Sequence, residues 1–343
     1  MTSSWTLDRS REAIRRLSSA GLDWQTFAAD AVPYLHRAIG FDCWCLSLND
    51  PDTDLPAGAA SANPVLASAQ PRFWQLEYQV PDVNKHTVLA QGPAKVGVLS
   101  AATGGDLARS ARWAELLGPG GLGDELRAVP AIRGQAWGDL SLYRERGEPH
   151  FTPDQARWVA GLIGDLGRAT RAAWAAGQPA TCPPDGSHGI IVVTAGGTPV
   201  SMTAAARRWL EHLGRMQAVS IISALAAKVG ASERHPASVR MRTPSRQWIA
   251  MHAARLSGAG GNLAVSIQPA HASEIAPLLM RAAGLSAREC DIAALVLAGL
   301  GTEEIASQLH ISPHTVQDHL KAVYAKTGAR SRRLLAARLS GLA

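Results

Sequence analysis

Cysteine is scarce in this chain: 343 residues hold only Cys43, Cys45, Cys182 and Cys290, and none sits in a CxxC pair. That scatter gives neither a disulfide framework nor a structural zinc site. Long apolar runs are absent as well. No stretch approaches the roughly 20 residues that span a bilayer. The opening MTSSWTLDRSREAIRRL carries cations without a following apolar segment of signal type, so no membrane and a cytoplasmic location are expected. Charged residues make up only 18% against 46% hydrophobic, a balance that excludes disorder and points to well-buried cores, divided at this length among two or three domains. Catalytic signatures are missing too: there is no GxSxG elbow, no HExxH and no phosphate-cradling GxxxxGKS or GxxxxGKT. The paired acids, threonine and lysine of a phosphorylatable receiver cannot be placed. The glycine clusters Gly104 to Gly105 and Gly118 to Gly123 lack strand, turn and helix context and read as loops. An enzyme is not expected.

What is present is concentrated after Leu285. Ser286 and Glu289 form an S-x-x-E capping box, in which each side chain satisfies a backbone donor left free at a helix start. Ile292, Leu295, Val296 and Gly299 then fall on one face at helical spacing, and Gly299 with Gly301 supplies the freedom to stop one helix and begin another. Gly301 is a permissible N-cap with Glu304 three residues on, and Ile305, Ala306 and Leu309 make the second apolar stripe. His310, Ile311 and Ser312 leave room only for a tight turn. Ser312 caps a third helix with Pro313 at its first position, where the missing N–H costs nothing.

On that third helix Val316, Leu320 and Val323 share a face that must pack on the first two helices. The opposite face therefore carries His314, Gln317, Asp318 and Lys321. A helix standing in the major groove presents such a face to base edges, with Thr315, His319 and Lys326 nearer the phosphates. Gln317 can pair with adenine and Lys321 with guanine acceptors, whereas Asp318 is tolerable only beside a cytosine amine or a neighbouring cation. From Lys321 onward the cations are Lys321, Lys326, Arg330, Arg332, Arg333 and Arg338, with no acid among them. This tail alone equals the +6 net charge of the whole chain. An isolated basic run is more often a solvated helix. Placed after a capped reading helix, it suits a polyanion and predicts salt-dependent binding.

The segment resembles the LuxR-type family of bacterial transcription regulators, on L-S-x-R-E at Leu285 to Glu289, A-G-x-x-x-x-E-I-A at Ala298 to Ala306, I-S-x-x-T-V at Ile311 to Val316, His319, and K-x-G-x-x-S-R at Lys326 to Arg332. The resemblance covers about a sixth of the chain. It implies an all-α, four-helix domain over 280–343 whose fourth helix starts near Ser331 and serves dimerisation, with Leu335 and Leu339 as contacts. The cationic tail adds Arg330 and Arg332 to the expected DNA-binding residues. Two positions depart from the family pattern: Gln317 stands where lysine is usual, which points to an altered target, and Leu334 where glutamate is usual, which enlarges an apolar surface. The promoter-binding region of a sigma factor shares some of these elements, but the sequence after Gly328 and the upstream chain argue against it.

Punctuation upstream is clearest in GQPATCPPDGS, predicting a linker at 177–187. Before it, Trp24 to Ile39 reads as a helix, Phe41 to Leu48 and Trp137 to Tyr143 as strands, Arg109 to Leu117 as a helix, and Asp154 to Trp174 as one long helix started by Thr152 and Pro153. This order resembles a GAF sensor domain, assigned to 1–176. After it, Gly189 to Thr194 is a strand, Gly196 and Gly197 a hairpin turn and Thr203 to Leu213 a helix. Val239 to Thr243 and Asn262 to Gln268 read as strands, with Gln247 to Leu256 open between strand and helix. That order resembles a PAS domain, assigned to 188–272. The expected fold class is thus multidomain α+β, two α/β sensor domains ahead of an all-α DNA reader.

Sensor residues are harder to single out. Cys43 and Cys45 lie on one face of their strand and Trp44 on the other. A redox or metal site there competes with a buried pair of small apolar side chains, the commoner fate of cysteine. Any of the ten tryptophans can line a ligand pocket, though large aromatics more often simply pack. His86, His188, His212, His235, His252 and His271 lack the i, i+4 spacing of a metal site, so no metal, haem or flavin is assigned. The expected function is a DNA-binding transcription regulator acting as a homodimer on a palindromic double-stranded operator. Expected partners are RNA polymerase and a small-molecule effector. The competing class is a ligand-binding or interaction module whose terminal helices dock a protein, such as RNA polymerase in the sigma manner, in place of DNA.

Overall fold

The structure is a computed structural model that describes residues 3–175, 187–232, 235–258 and 260–341, without the side chain of Ala67. The proposed linker at 177–187 and Cys182 therefore fall, apart from Ser187, outside the described residues. Two helices open the chain, α1 (Ser4–Ser19) and α2 (Trp24–Ile39). The second has the bounds expected from its sequence because Asp23 caps it, its carboxylate accepting from the Thr26 N–H at 3.1 Å, and Gly40 ends it at φ 62°. Strands β1 (Cys43–Asp50) and β2 (Leu55–Ala62) follow, then α3 (Gln70–Tyr78), α4 (His86–Gln91), β3 (Val96–Val98), β4 (Leu122–Ala128), β5 (Gly138–Glu145), α5 (Pro153–Ala160) and α6 (Ile163–Ala175).

The five strands form an antiparallel sheet in the order β2-β1-β5-β4-β3. Side chains alternate across it. Leu46, Leu126, Leu140 and Leu142 point to one side, where Phe27 and Leu35 of α2, Trp158 of α5 and Leu166 of α6 complete an apolar core. Each such leucine contributes about 1.5–3 kcal/mol on burial. The other side carries Cys45 and Ser47, Glu125 and Arg127, and Asp139, Ser141 and Tyr143. The register sets Cys45 opposite Ser141, Ser47 opposite Asp139 and Glu125 opposite Tyr143.

Two expectations in this half need correction. The long helix over Asp154 to Trp174 is two helices, because the Leu162 N–H bonds the Val159 carbonyl at 2.8 Å and tightens the turn after Gly161. The helix expected over Arg109 to Leu117 is a 3-10 turn at Leu107–Arg109 and a π-helical turn at Trp113–Leu117. The wide turn closes through Gly118 N–H to the Trp113 carbonyl at 2.8 Å, while Arg112 swings inward to meet buried carboxylates.

The second half runs β6 (Gly189–Val193), β7 (Pro199–Met202), α7 (Ala204–Leu213), α8 (Arg215–Ala231), β8 (Ala237–Arg242), β9 (Trp248–Arg255), β10 (Leu263–Pro269) and α9 (Ala272–Ala282). Its sheet is β8-β9-β10-β6-β7, again antiparallel. Read from the other edge this is the same topology as the first sheet: second strand, first, fifth, fourth, third. The Gly196 to Gly197 turn joins β6 and β7, with Gly197 at φ 81°. The segment from Gln247 resolves as a strand, β9. Helix α8 is buried on several sides through Ile221, Ile222, Leu225 and Val229, because it lies between its own sheet and α3 of the first half.

The halves are fastened together. Asp50, fully buried, accepts from the Arg240 N–H at 3.0 Å and from its guanidinium at 2.8 and 2.5 Å, while Asp52 accepts from Arg240 and Arg281, each at 2.5 Å. Trp174 stacks on Trp248 with centroids 5.8 Å apart. Arg240 also donates to the Glu274 carbonyl in α9 at 2.9 Å, so the same side chain ties both sheets to the helix that leads into the C-terminal domain. That domain is all helical: α10 (Ala287–Leu297), α11 (Thr302–Gln308), α12 (Pro313–Thr327) and α13 (Arg332–Leu339).

Candidate DNA interface and interior cavity

Local chemistry sets each helix start in the C-terminal domain. The Ser286 hydroxyl accepts from the Glu289 N–H at 3.3 Å, and the Glu289 carboxylate accepts from the Ser286 N–H at 2.6 Å. At Gly301 only half of that box exists, since glycine has no side chain: its N–H donates to Glu304 at 2.5 Å. Ser312 caps α12 through the Thr315 N–H at 3.0 Å, and Gly328 ends it in the left-handed region at φ 66°. Inside, Val316 and Val323 are fully buried and Leu320 nearly so. The polar face of α12 is left outside, with His314, Gln317, Asp318 and Lys321 exposed and Thr315 and His319 half-buried.

Within that face Asp318 is held between the Lys321 ammonium at 3.0 Å and the His314 ring at 3.2 Å. The Lys321 hydrogen bond keeps its carboxyl below the usual aspartate range. The acid that looked awkward opposite phosphate is thus neutralised along its own helix.

Three of the assigned sets of residues have partners within the chain. Lys326 does not project freely toward a phosphate; its ammonium grips the largely buried Glu289 at 2.6 and 2.8 Å, tying the end of α12 to the start of α10. Burial opposes ionisation of Glu289, but Lys326 and the Ser286 N–H outweigh it and lower its pKa. Arg332 donates to the Leu300 carbonyl at 2.5 Å and to the Thr302 hydroxyl at 2.9 Å, fastening α13 onto the turn between α10 and α11. Leu335 and Leu339, assigned to a dimer contact, are 0% and 2% exposed and belong to the chain's own core, where α13 packs on α9, α10 and α12. A dimer face on α13 would need other residues. Arg330 and Arg333 stay exposed.

The second candidate site was not visible as a motif. A cavity of about 670 Å³ lies over the polar side of the first sheet. Its floor is Cys45 and Ser47 of β1 and Asp139, Ser141 and Tyr143 of β5, with His86 beside them. Phe73 and Trp74 of α3 form one wall, and Met216, Ser220 and Ile221 of α8 close it from the second half. His86 meets Ser141 at 3.2 Å and Asp139 at 3.7 Å, and Asn49 donates to Asp139 at 2.5 Å. Burial raises the Asp139 carboxyl to about 7 and, helped by nearby Arg127, holds His86 well below its ordinary value.

Beside this floor, on the same face of the sheet, lies an enclosed ion network. Arg127 pairs with Glu77 at 2.7 Å and Glu125 at 2.9 Å, and Arg112 pairs with Glu125 at 2.7 Å and Asp82 at 3.3 Å, every side chain at 2% exposure or less. Of the residues weighed from sequence, Trp74, Cys45 and His86 do line the cavity; Asp139, Ser141 and Tyr143 were missed. Their signal was there as the polar positions alternating with leucine in D-L-S-L-Y, a pattern that ordinarily marks a solvent face. Among the described residues no group of histidines, cysteines and carboxylates has the geometry to hold a metal ion. Among them, too, no helix is long and apolar enough to cross a membrane.

A capped trihelical unit with an exposed polar third helix defines the class: a helix-turn-helix reader. Residues 283–339 match the sequence profile of the bacterial regulatory proteins of the luxR family, so the chain carries a LuxR-type helix-turn-helix domain at this end. Over 48 residues it is 50% identical to proteins named as HTH-type transcriptional regulators in Mycobacterium bovis and Mycobacterium tuberculosis, spanning 14% of this chain and 5% of those proteins. The chain thus spans about a twentieth of the length of the curated relatives it matches. Among solved structures, Escherichia coli SdiA aligns over 94% of this chain and 92% of its own at 14% identity with a TM-score of 0.26. Vibrio cholerae VqmA, in a complex with ligand and DNA, aligns over 46% and 85% at 19% identity with a TM-score of 0.22. At those scores neither supports an argument about architecture.

Proposed function

We propose that this chain is a sequence-specific DNA-binding transcriptional regulator whose upstream GAF-like and PAS-like units respond to a small molecule or a partner. The observation that carries this reading is the exposed polar face of α12, His314, Gln317, Asp318 and Lys321, set on a domain matching the luxR family profile. Gln317 and Lys321 are the base readers, Thr315, His319 and Arg330 lie toward the phosphates, and Lys326 and Arg332 shape the module from within. Binding as a homodimer to a palindromic operator follows from the gain in placing two readers one helical turn apart, and RNA polymerase is the partner through which the bound regulator acts.

Gel shifts on DNA selected by the full chain test this. Lys321→Ala should weaken binding about ten-fold, the order expected for a base or phosphate contact. Asp318→Asn should tighten it several-fold at low salt by freeing Lys321, an advantage that fades as salt screens the phosphates. Selection of no sequence, or affinity indifferent to salt, would favour protein docking by the terminal helices instead.

A further inference from the structure

The cavity over the first sheet has the size of a ligand site, since pockets for small organic molecules run from about 300 to 1,000 Å³. Two features say what it would take. The Tyr143 hydroxyl, in a residue with no exposure, borders the cavity beside Ser141 and has no hydrogen-bond partner of good geometry among the described residues, although a buried hydroxyl normally finds one. Among the described residues, no lysine or arginine lines the space. Arg112 and Arg127, on the same side of the sheet, are ion-paired with Asp82, Glu77 and Glu125 and border no part of the space, although Arg127 Nη2 keeps no hydrogen-bond partner among the described residues. An anionic ligand would find no cation among the described lining residues and would face Asp139. The walls are aromatic and aliphatic, Phe73 and Trp74 against Ile221.

We propose that this cavity binds an uncharged, largely apolar organic molecule whose polar end hydrogen-bonds Tyr143 and Asp139, and that helix α8 of the second half serves as its lid. The lid assignment comes from Met216, which borders the cavity yet is 53% exposed, and from Ser220, whose hydroxyl accepts from Trp74 Nε1 at 3.1 Å across the two halves. A molecule seated here touches both halves at once. Its occupancy therefore biases how α8 rests on α3, and α8 packs on β8, the strand whose Arg240 holds α9. This deepens the sensor reading proposed above and rests on it for its regulatory consequence, though not for the binding itself.

The test uses the full chain, titrated calorimetrically with matched neutral and anionic probes: 2-naphthylmethanol and decanamide against 2-naphthoate and decanoate. The neutral members should bind and raise the Tm, with the carboxylates at least ten-fold weaker. Tyr143→Phe should keep the Tm of the empty protein, because the lost hydroxyl made no bond, yet lose about ten-fold in affinity for the neutral probes, the worth of one hydrogen bond. Ser220→Trp, which fills the space from the lid, should abolish binding. Carboxylates binding as tightly as neutral probes, a Tyr143→Phe protein with unchanged affinity, or no uptake of any probe by protein of normal Tm would overturn the proposal. Gel shifts on the same preparations separate the two readings: probes that bind to protein unable to retain DNA would leave the cavity assignment standing and remove the regulator.

Discussion

The two five-stranded sheets share one strand order and solve opposite packing problems. In the second, Val239, Met241, Ile249, Met251, Val265 and Ile267 fill the face beneath α7 and α8, and a covering helix meets methyl and thioether groups throughout. In the first, the face beneath α3 and α4 carries carboxylates, a guanidinium group and hydroxyls. Buried polar groups must find partners at defined distances and directions. Such a face cannot collapse as freely as an apolar one, and the cavity lies along it. The difference teaches that topology does not decide where a chain can hold a ligand; the chemistry of the inward positions does.

The sharpest way to break that contrast is to remove the centre of the ion network. Arg127→Met leaves Glu77 without its partner and Glu125 with only Arg112. Stripping one partner from a buried pair costs about 3–5 kcal/mol. Urea denaturation should show that loss at pH 8 and a smaller one at pH 5, where protonation of a buried carboxyl left without its cation offsets part of the cost. A variant no less stable than the parent would mean that the network contributes nothing to this face.

Met251→Ala in the second sheet is the matched control. It opens space in an apolar face at a cost of about 2–4 kcal/mol. That loss should be the same at both pH values, since nothing ionisable is left behind. A strong pH dependence here would erase the distinction between the sheets.

Asp139→Asn sharpens the comparison at smaller scale. Burial lifts Asp139 from 3.8 to about 7, so between those values the folded protein keeps a proton that the unfolded chain has released. The stability this group provides is full below about pH 4 and is lost as pH rises through about 7. The asparagine variant, still able to accept from Asn49, should match the parent at pH 4 and exceed it at pH 8 by on the order of 1–3 kcal/mol. Melting curves across that range check it, and parallel curves for the two proteins would show that Asp139 titrates normally.

The C-terminal domain stands apart from both sheets in how openly its sequence announced it. Ser286, Ser312 and Ser331 mark helix starts by chemistry that acts within three residues, and Gly328 ends α12 by a conformation few other residues adopt. Its internal use of cations was not legible. Whether Lys326 reaches a phosphate or Glu289 depends on the distance between two helix ends, which spacing along the chain does not encode. Leu335 and Leu339 illustrate the same limit: an apolar stripe must be buried, but the stripe does not say against what. Helix α8 was overlooked for a related reason. A rod enclosed on several sides loses the one-sided periodicity by which a surface helix is read.

By itself the amino-acid sequence determined the helix-turn-helix module, the alternating strands on either side of the proline-rich stretch, and the outward face of α12, because capping, glycine conformation and side-chain period act over a few neighbouring residues. Only the tertiary structure decided that the polar side of the first sheet faces an interior instead of water. There α3 and α8 close over Asp139, Ser141 and Tyr143 from segments far away in the chain. Alternation separates two faces of a strand, and what covers each is settled by the elements that arrive there.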